Sequence, residues 1–177
     1  MPALQDITES LVRDNITRAV LDVFKTMLGR AAQLCPNSPQ GSLTSLPSHA
    51  NPSLSGVPLV VGTVGFIGEA NGLIYLYFDQ AFARVCTCQL LGMTEADLDE
   101  AGDEVINDAI GEMTNMTVGS FKNGLCDAGY PCKLTIPSIL RGSNFSIEPI
   151  SSAQRHIFRF ESGGHRLVTD ILMKVGE

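Results

Sequence analysis

Residues 101–124 read AGDEVINDAIGEMTNMTVGSFKNG, and this stretch decides how the chain folds. At about 100° per residue, Val105, Ala109, Met113, Met116 and Ser120 share one side of a helix, with Ile106 and Thr117 beside them. The spacing predicts a helix over about 101–123, stopped by Gly124, with that side turned to the core. Asp108, Glu112, Asn115 and Gly119 follow one another at steps of four, three and four. They make a second stripe on the helix shoulder, displaced by about 120° from the centre of the apolar one. A carboxylate and a carboxamide three positions apart can reach the same external object, and a glycine one turn further leaves room for a partner's backbone. Periodicity leaves a second reading open, in which Glu112 and Asn115 are solvated helix residues without chemistry.

Beyond this helix the pattern changes to strands. Candidates are 133–140, 145–150, 156–161 and 166–175, the last two joined through Ser162, Gly163 and Gly164 as a hairpin that carries His156 and His165. Asp170, in the final strand, reads as solvent-facing. Upstream, 60–67 and 73–78 are β-rich runs separated by Gly68 to Gly72, the composition of a hairpin connection. Asp79 can cap a helix whose apolar side is Ala81, Phe82, Val85, Leu90 and Leu91 and which Gly92 ends. Thr94 and Asp97 have the spacing of a capping box, and Asp99, Glu100, Asp103 and Glu104 favour the positive end of the following helix. Near the start, Ile7, Leu11, Ile16, Val20, Val23, Phe24, Met27 and Leu28 give a one-faced helix stopped by Gly29, expected to pack on a sheet. Residues 36–58, rich in Pro, Ser and Asn, read as a long mobile loop. The fold class is α+β: a mainly antiparallel sheet packed with a long N-terminal helix and a long central helix carrying the Glu-x-x-Asn motif.

A chain of 177 residues fits one domain, 1–177, and can bury about 70% of its unfolded surface without metal or disulfide support. Its 12 basic against 19 acidic residues give a net charge of −7, which repels nucleic acid. No run approaches the roughly 20 apolar residues of a membrane span, and acids stand where a signal peptide would be basic, so a cytoplasmic location without membrane association is expected. Five cysteines do not suggest a disulfide framework, and His49, His156 and His165 fall at no zinc-ligand spacing from them. Buried structural cysteines account for them better than thiol or metal chemistry.

The stretch from Asn107 to Thr117 closely resembles the signature helix of the CheC/CheX/FliY family of chemotaxis response-regulator phosphatases, and of its CheX branch in particular. Ala19 to Leu28 resembles that branch's opening helix. Gly65-Phe66-Ile67-Gly68 with Gly72-Leu73-Ile74-Tyr75-Leu76 is similar to its first hairpin, and Leu134 to Pro137 followed by Gly142 to a later strand. The signature positions are Asp108, Glu112, Asn115 and Pro137, with the interval before the proline one residue shorter than in the family. Only one such helix is present, which matches the CheX branch and implies a homodimer with one site per protomer.

The resemblance implies a phosphatase acting on the aspartyl phosphate of a CheY-type response regulator. Asn115 would hold the attacking water in line, and Glu112 would accept a hydrogen bond from the regulator's active-site lysine. Asp108 and Gly119 would contact the partner. No cofactor would be bound by this chain, and Mg2+ would be supplied by the regulator's own carboxylates. A different class of function is compatible with the same surface: an adaptor that docks on a receiver domain and modulates its phosphorylation without turnover.

Overall fold

The computed structural model describes residues 7–36, 56–148 and 152–176. Helix α1 spans Glu9–Val23, capped by Thr8, whose side chain accepts from the Leu11 amide. It runs on as one π-helical segment, Phe24–Leu28, and Gly29 closes it at a positive φ of 62°. A short strand β1 (Gln33–Leu34) precedes the hairpin β2 (Leu59–Gly68) and β3 (Ala70–Asp79). Helices α2 (Gln80–Leu91), α3 (Glu95–Ala101) and α4 (Asp103–Asp127) follow, then β4 (Cys132–Leu134), β5 (Ser138–Gly142), β6 (Gln154–Ser162) and β7 (His165–Val175). The predicted 36–58 loop lies outside the described residues except at its ends.

Among the described residues seven strands form one sheet in the order β1-β6-β7-β3-β2-β4, with β5 also pairing β2, and every pair is antiparallel. Alternation along the strands sends Val60, Val64 and Phe66 of β2, Ile74, Leu76 and Phe78 of β3, and Phe158 and Phe160 of β6 to one face. There they meet Val12, Ile16 and Val20 of α1, Phe82 and Cys86 of α2, and Ile110, Val118 and Phe121 of α4 in one continuous core. The Phe66 and Phe121 rings lie 5.9 Å apart and tie β2 to the centre of α4. Helix α1 packs chiefly along α4 and, among the described residues, reaches the sheet mainly at β1 and β6, while its apolar side shares the core with β2 and β3.

Local signals set the helix ends. Asp79 accepts from the Phe82 amide at 2.6 Å, and Gly92 closes α2 at φ 65°. Thr94 and Asp97 form the reciprocal capping box. The box starts the separate short helix α3, because Gly102 (φ 83°) breaks the chain before α4.

Gly124 does not stop α4. It lies buried inside the helix, where an added Cβ would come 2.0 Å from Asn15 Oδ1, and it lets α1 approach closely. The helix ends at Asp127, with Gly129 following at φ 96°.

Three strand expectations change. The predicted 68–72 connection is mostly strand, because Gly68 pairs with Cys132 and Ala70 with Val175 on the outer sides of the hairpin. The predicted strand 133–140 is two strands separated by Thr135, Ile136 and Pro137. Residues 145–148 of the predicted strand 145–150 are not strand, and 149–150 lie outside the described residues. Instead, this segment crosses the sheet's reverse face, where Phe145 packs edge-on against Tyr77 with ring centroids 6.5 Å apart. Beneath it, Arg155 donates from Nε and Nη2 to the two oxygens of Asp170 at 3.0 and 2.8 Å, and from Nη1 to the Ile147 carbonyl at 3.1 Å. Asp170 is therefore buried, not solvent-facing, and the burial of Tyr77, with the Asp170 charge as the second cause, pushes that phenol well above its usual range.

Candidate functional site

Helix α4 is held against the sheet by small and hydroxylated residues. Thr114 and Thr117 are buried, and each hydroxyl donates one turn back, to the Ile110 carbonyl at 2.6 Å and the Met113 carbonyl at 2.8 Å. With their polar atoms satisfied inside the helix, they pack as apolar residues do. Gly62 of β2 faces Thr114, and a Cβ there would lie 1.9 Å from Thr114 Oγ1, so the close approach of helix and strand depends on that glycine.

The buried face of α4 runs through Ile106, Ile110, Met113, Thr117, Phe121 and Leu125, with Thr114 and Val118 toward β2. Of the predicted face, Ala109 and Met113, with Ile106 and Thr117 beside them, are buried, whereas Val105, Met116 and Ser120 are only half-buried. The core face is thus rotated by roughly 100° from the one that periodicity predicts. The rotation carries the Asp108, Glu112, Asn115 and Gly119 stripe from the helix shoulder to nearly the opposite side from the core. Asp108 and Glu112 are exposed, and Asn115 is half-buried.

Asn107, Asp108, Gly111, Glu112 and Asn115 form one wall of an open groove of about 280 Å³, and Pro137 and Ile139 form the other. Three of the four predicted residues meet there, with the proline of the signature opposite them. Gly119 does not line the groove. A Cβ on it would rest at ordinary contact distance, 3.7 Å, from Leu134 Cδ1, so it faces β4.

Sequence reasoning missed Asn107, Gly111 and Ile139. The signal for the first two is present in the spacing: positions 107, 108, 111, 112 and 115 cover one continuous strip of helix surface.

Arg141, two residues beyond Ile139, spans from β5 to α4. Its Nε donates to Asn107 Oδ1 at 2.7 Å, Nη2 donates to the Asp103 carbonyl at 3.3 Å, and the guanidinium pairs with the Asp103 carboxylate at 3.8 Å. It fixes the edge strand to the start of the site helix. Among the described residues the groove is lined by two carboxylates and no cation, so it favours an incoming positive group. Among the described residues, no group of three or more His, Cys, Asp or Glu could hold a metal ion, and no helix is long and apolar enough to cross a membrane.

The structure is an antiparallel sheet with its helices on one face, and the central helix carries a carboxylate and a carboxamide on its outer side. The family model for chemotaxis phosphatase CheX matches residues 60–161, and the chain belongs to that family. Solved structures agree in fold. The chemotaxis protein CheX of Vibrio vulnificus is 20% identical, with a TM-score of 0.73 over 96% of this chain and 99% of that one. A CheC-like superfamily protein of Shewanella sp. PV-4 is 24% identical, with a TM-score of 0.69 over 94% and 99%. The CheX of Borrelia burgdorferi, solved in complex with CheY, BeF3 and Mg2+, is 19% identical, with a TM-score of 0.68 over 92% and 97%. No curated protein matches the sequence.

Proposed function

We propose that the chain is a phosphatase that hydrolyses the aspartyl phosphate of a CheY-type response regulator, with Asn115 and Glu112 as its working residues. The observation that supports this best is the presentation of both side chains on the outer face of one helix, in an open groove that among the described residues is lined by no cation. Family membership and the CheX–CheY complex of Borrelia burgdorferi point to the same class of partner.

An acyl phosphate already hydrolyses unaided. Each factor of ten in rate requires about 1.4 kcal/mol, so orienting one water contributes usefully. In this reading the Asn115 carboxamide enters beside the phosphoryl group and holds a water in line with the bond to the aspartate. The water oxygen bonds to phosphorus, the bond to the aspartyl oxygen breaks with its electron pair leaving on the carboxylate, and the water's proton passes to solvent or phosphate. Glu112 accepts a charge-assisted hydrogen bond from the regulator's lysine and fixes the docked geometry. Asp108 extends the acidic wall against the partner. The regulator holds the magnesium that spreads the transition-state charge. The working assembly is a homodimer with one site per protomer, and micromolar light scattering is expected to give twice the chain mass.

Turnover separates this reading from an adaptor. Substoichiometric protein added to a phosphorylated receiver is expected to release many phosphates per chain. Release that stops at one equivalent, or protection of the phosphoryl group, would establish the adaptor instead.

A further inference from the structure

The two walls of the groove run in step. Ile139 and Arg141 pair with Gly62 and Val60 of β2, so both side chains leave β5 on the helix-facing side of the sheet. On α4, Asn107 and Gly111 stand one turn apart. A Cβ on Gly111 would rest 3.9 Å from Ile139 Cδ1, and Asn107 Oδ1 accepts from Arg141 Nε at 2.7 Å. Four residues of helix rise about 6 Å and two of strand about 6.6 Å, so the elements keep register while running in opposite directions. The next step brings Asn115 level with Pro137, and both line the groove. The ladder holds β5 to β2, but among the described residues its side-chain hydrogen bonds to α4 all come from Arg141, to Asn107 and to the Asp103 carbonyl.

We propose that Arg141 is a positioning residue of this site: it sets the separation of the two walls and orients Asn107, whose amide NH2 donates to a backbone carbonyl of the docked receiver. The inference rests on the function proposed above and adds to it a residue that acts through another. An arginine side chain only donates, so Asn107 turns its oxygen to Arg141, which leaves the NH2 group as what this residue offers to the groove it lines. Its neighbours Asp108 and Glu112, as carboxylates, only accept. Every residue of a protein partner carries a carbonyl acceptor, so a fixed donor among acceptors adds orientation that the carboxylates cannot supply. Charge alone predicts the opposite sign of effect. Arg141 is a cation beside an acidic groove, so a purely electrostatic role would make its removal favour a positive partner group. A positioning role makes its removal weaken binding.

The test uses the full chain, titrated with a purified CheY-type receiver carrying beryllium fluoride and Mg2+, and steady-state turnover of the phosphorylated receiver, with circular dichroism as the control for folding. Arg141→Lys keeps the charge and loses the fork, and is expected to weaken binding and raise KM about fivefold, with kcat within about twofold of the parent. Asn107→Ala should match it. Arg141→Ala should lose about tenfold, and the double variant Arg141→Ala with Asn107→Ala no more than that, because one residue acts through the other. Arg84→Ala, which removes a comparable surface clasp between α2 and α3, should change nothing. Unaltered binding and KM in Arg141→Lys, tighter binding in Arg141→Ala, or losses that add in the double variant would overturn the positioning role and leave the phosphatase standing. A parent whose binding depends on Arg141 in this way but which never turns the receiver over would do the reverse. A parent that binds no receiver at micromolar concentration would overturn both.

Discussion

Replacing Gly62 by alanine tests how the sheet positions the site helix. The added Cβ would lie 1.9 Å from Thr114 Oγ1, 2.9 Å from its Cβ and 3.1 Å from its Cγ2. The hydroxyl cannot step aside freely, because it is buried and donates to the Ile110 carbonyl at 2.6 Å. Either that bond breaks or α4 moves off β2. Overpacking costs about 1–3 kcal/mol and an unsatisfied buried hydroxyl a similar amount, while alanine's lower unfolded entropy returns less than about 1 kcal/mol. A loss of about 3 kcal/mol in urea unfolding is therefore expected. Thr114→Ala removes Oγ1 and Cγ2 and by itself costs about 1–2 kcal/mol. In the double variant only the 2.9 Å contact between the two Cβ atoms remains, relieved by a shift of a few tenths of an ångström. The double variant should then be more stable than the sum of the single effects by at least about 1 kcal/mol. Additive losses, or a Gly62→Ala protein as stable as its parent, would refute the close-approach argument.

Asp170→Asn is expected to cost about 2–3 kcal/mol, below the usual cost of breaking a fully buried pair, because the Arg155 side chain is 22% exposed and partly hydrated. Chemical denaturation measures this, and a loss under about 0.5 kcal/mol would contradict a structural role for the pair. His156 is half-buried, its buried Nε2 has no partner among the described residues, and desolvation lowers its pKa from 6.5. The unfolded chain then binds the proton more readily than the folded one, so this contribution is complete above pH 6.5 and is lost as pH falls toward the folded value. His156→Gln should flatten the fall in stability between about pH 7 and 5, and an unchanged slope would count against it.

Most of the secondary structure was legible in the sequence because each element announces itself locally. Asp79, Thr94 and the glycines at 29 and 92 cap where their chemistry allows, and the β6–β7 hairpin turns at Gly163 and Gly164. The misreadings arise where a residue's role is set by something far along the chain. Gly124 looks like a helix stop, yet its purpose is the contact with Asn15 of α1. Asp170 looks exposed until Arg155 and the segment around Ile147 cover it.

The rotation of α4 has the same origin. Its packed face is centred on Ile110, Val118, Phe121 and Leu125, which the predicted stripe left out, with Gly111, Thr114 and Gly124 among them, and Thr114 becomes buriable only through a bond to its own helix. The stripe of Asp108, Glu112 and Asn115 was legible because it depends on helix geometry alone. Its opposing wall was not, since Ile139 reaches it through the pairing of β5 with β2.

The central claim is that Asn115 orients water while Glu112 holds the partner. The direct test is phosphate release from a phosphorylated CheY-type receiver, measured together with receiver binding for the parent, Asn115→Ala and Glu112→Ala, with circular dichroism as the control for folding. Asn115→Ala should lose turnover and keep binding. Glu112→Ala should weaken the complex by about 2–5 kcal/mol, as the partner's lysine loses its acceptor. A folded Asn115→Ala protein with full activity would contradict the mechanism.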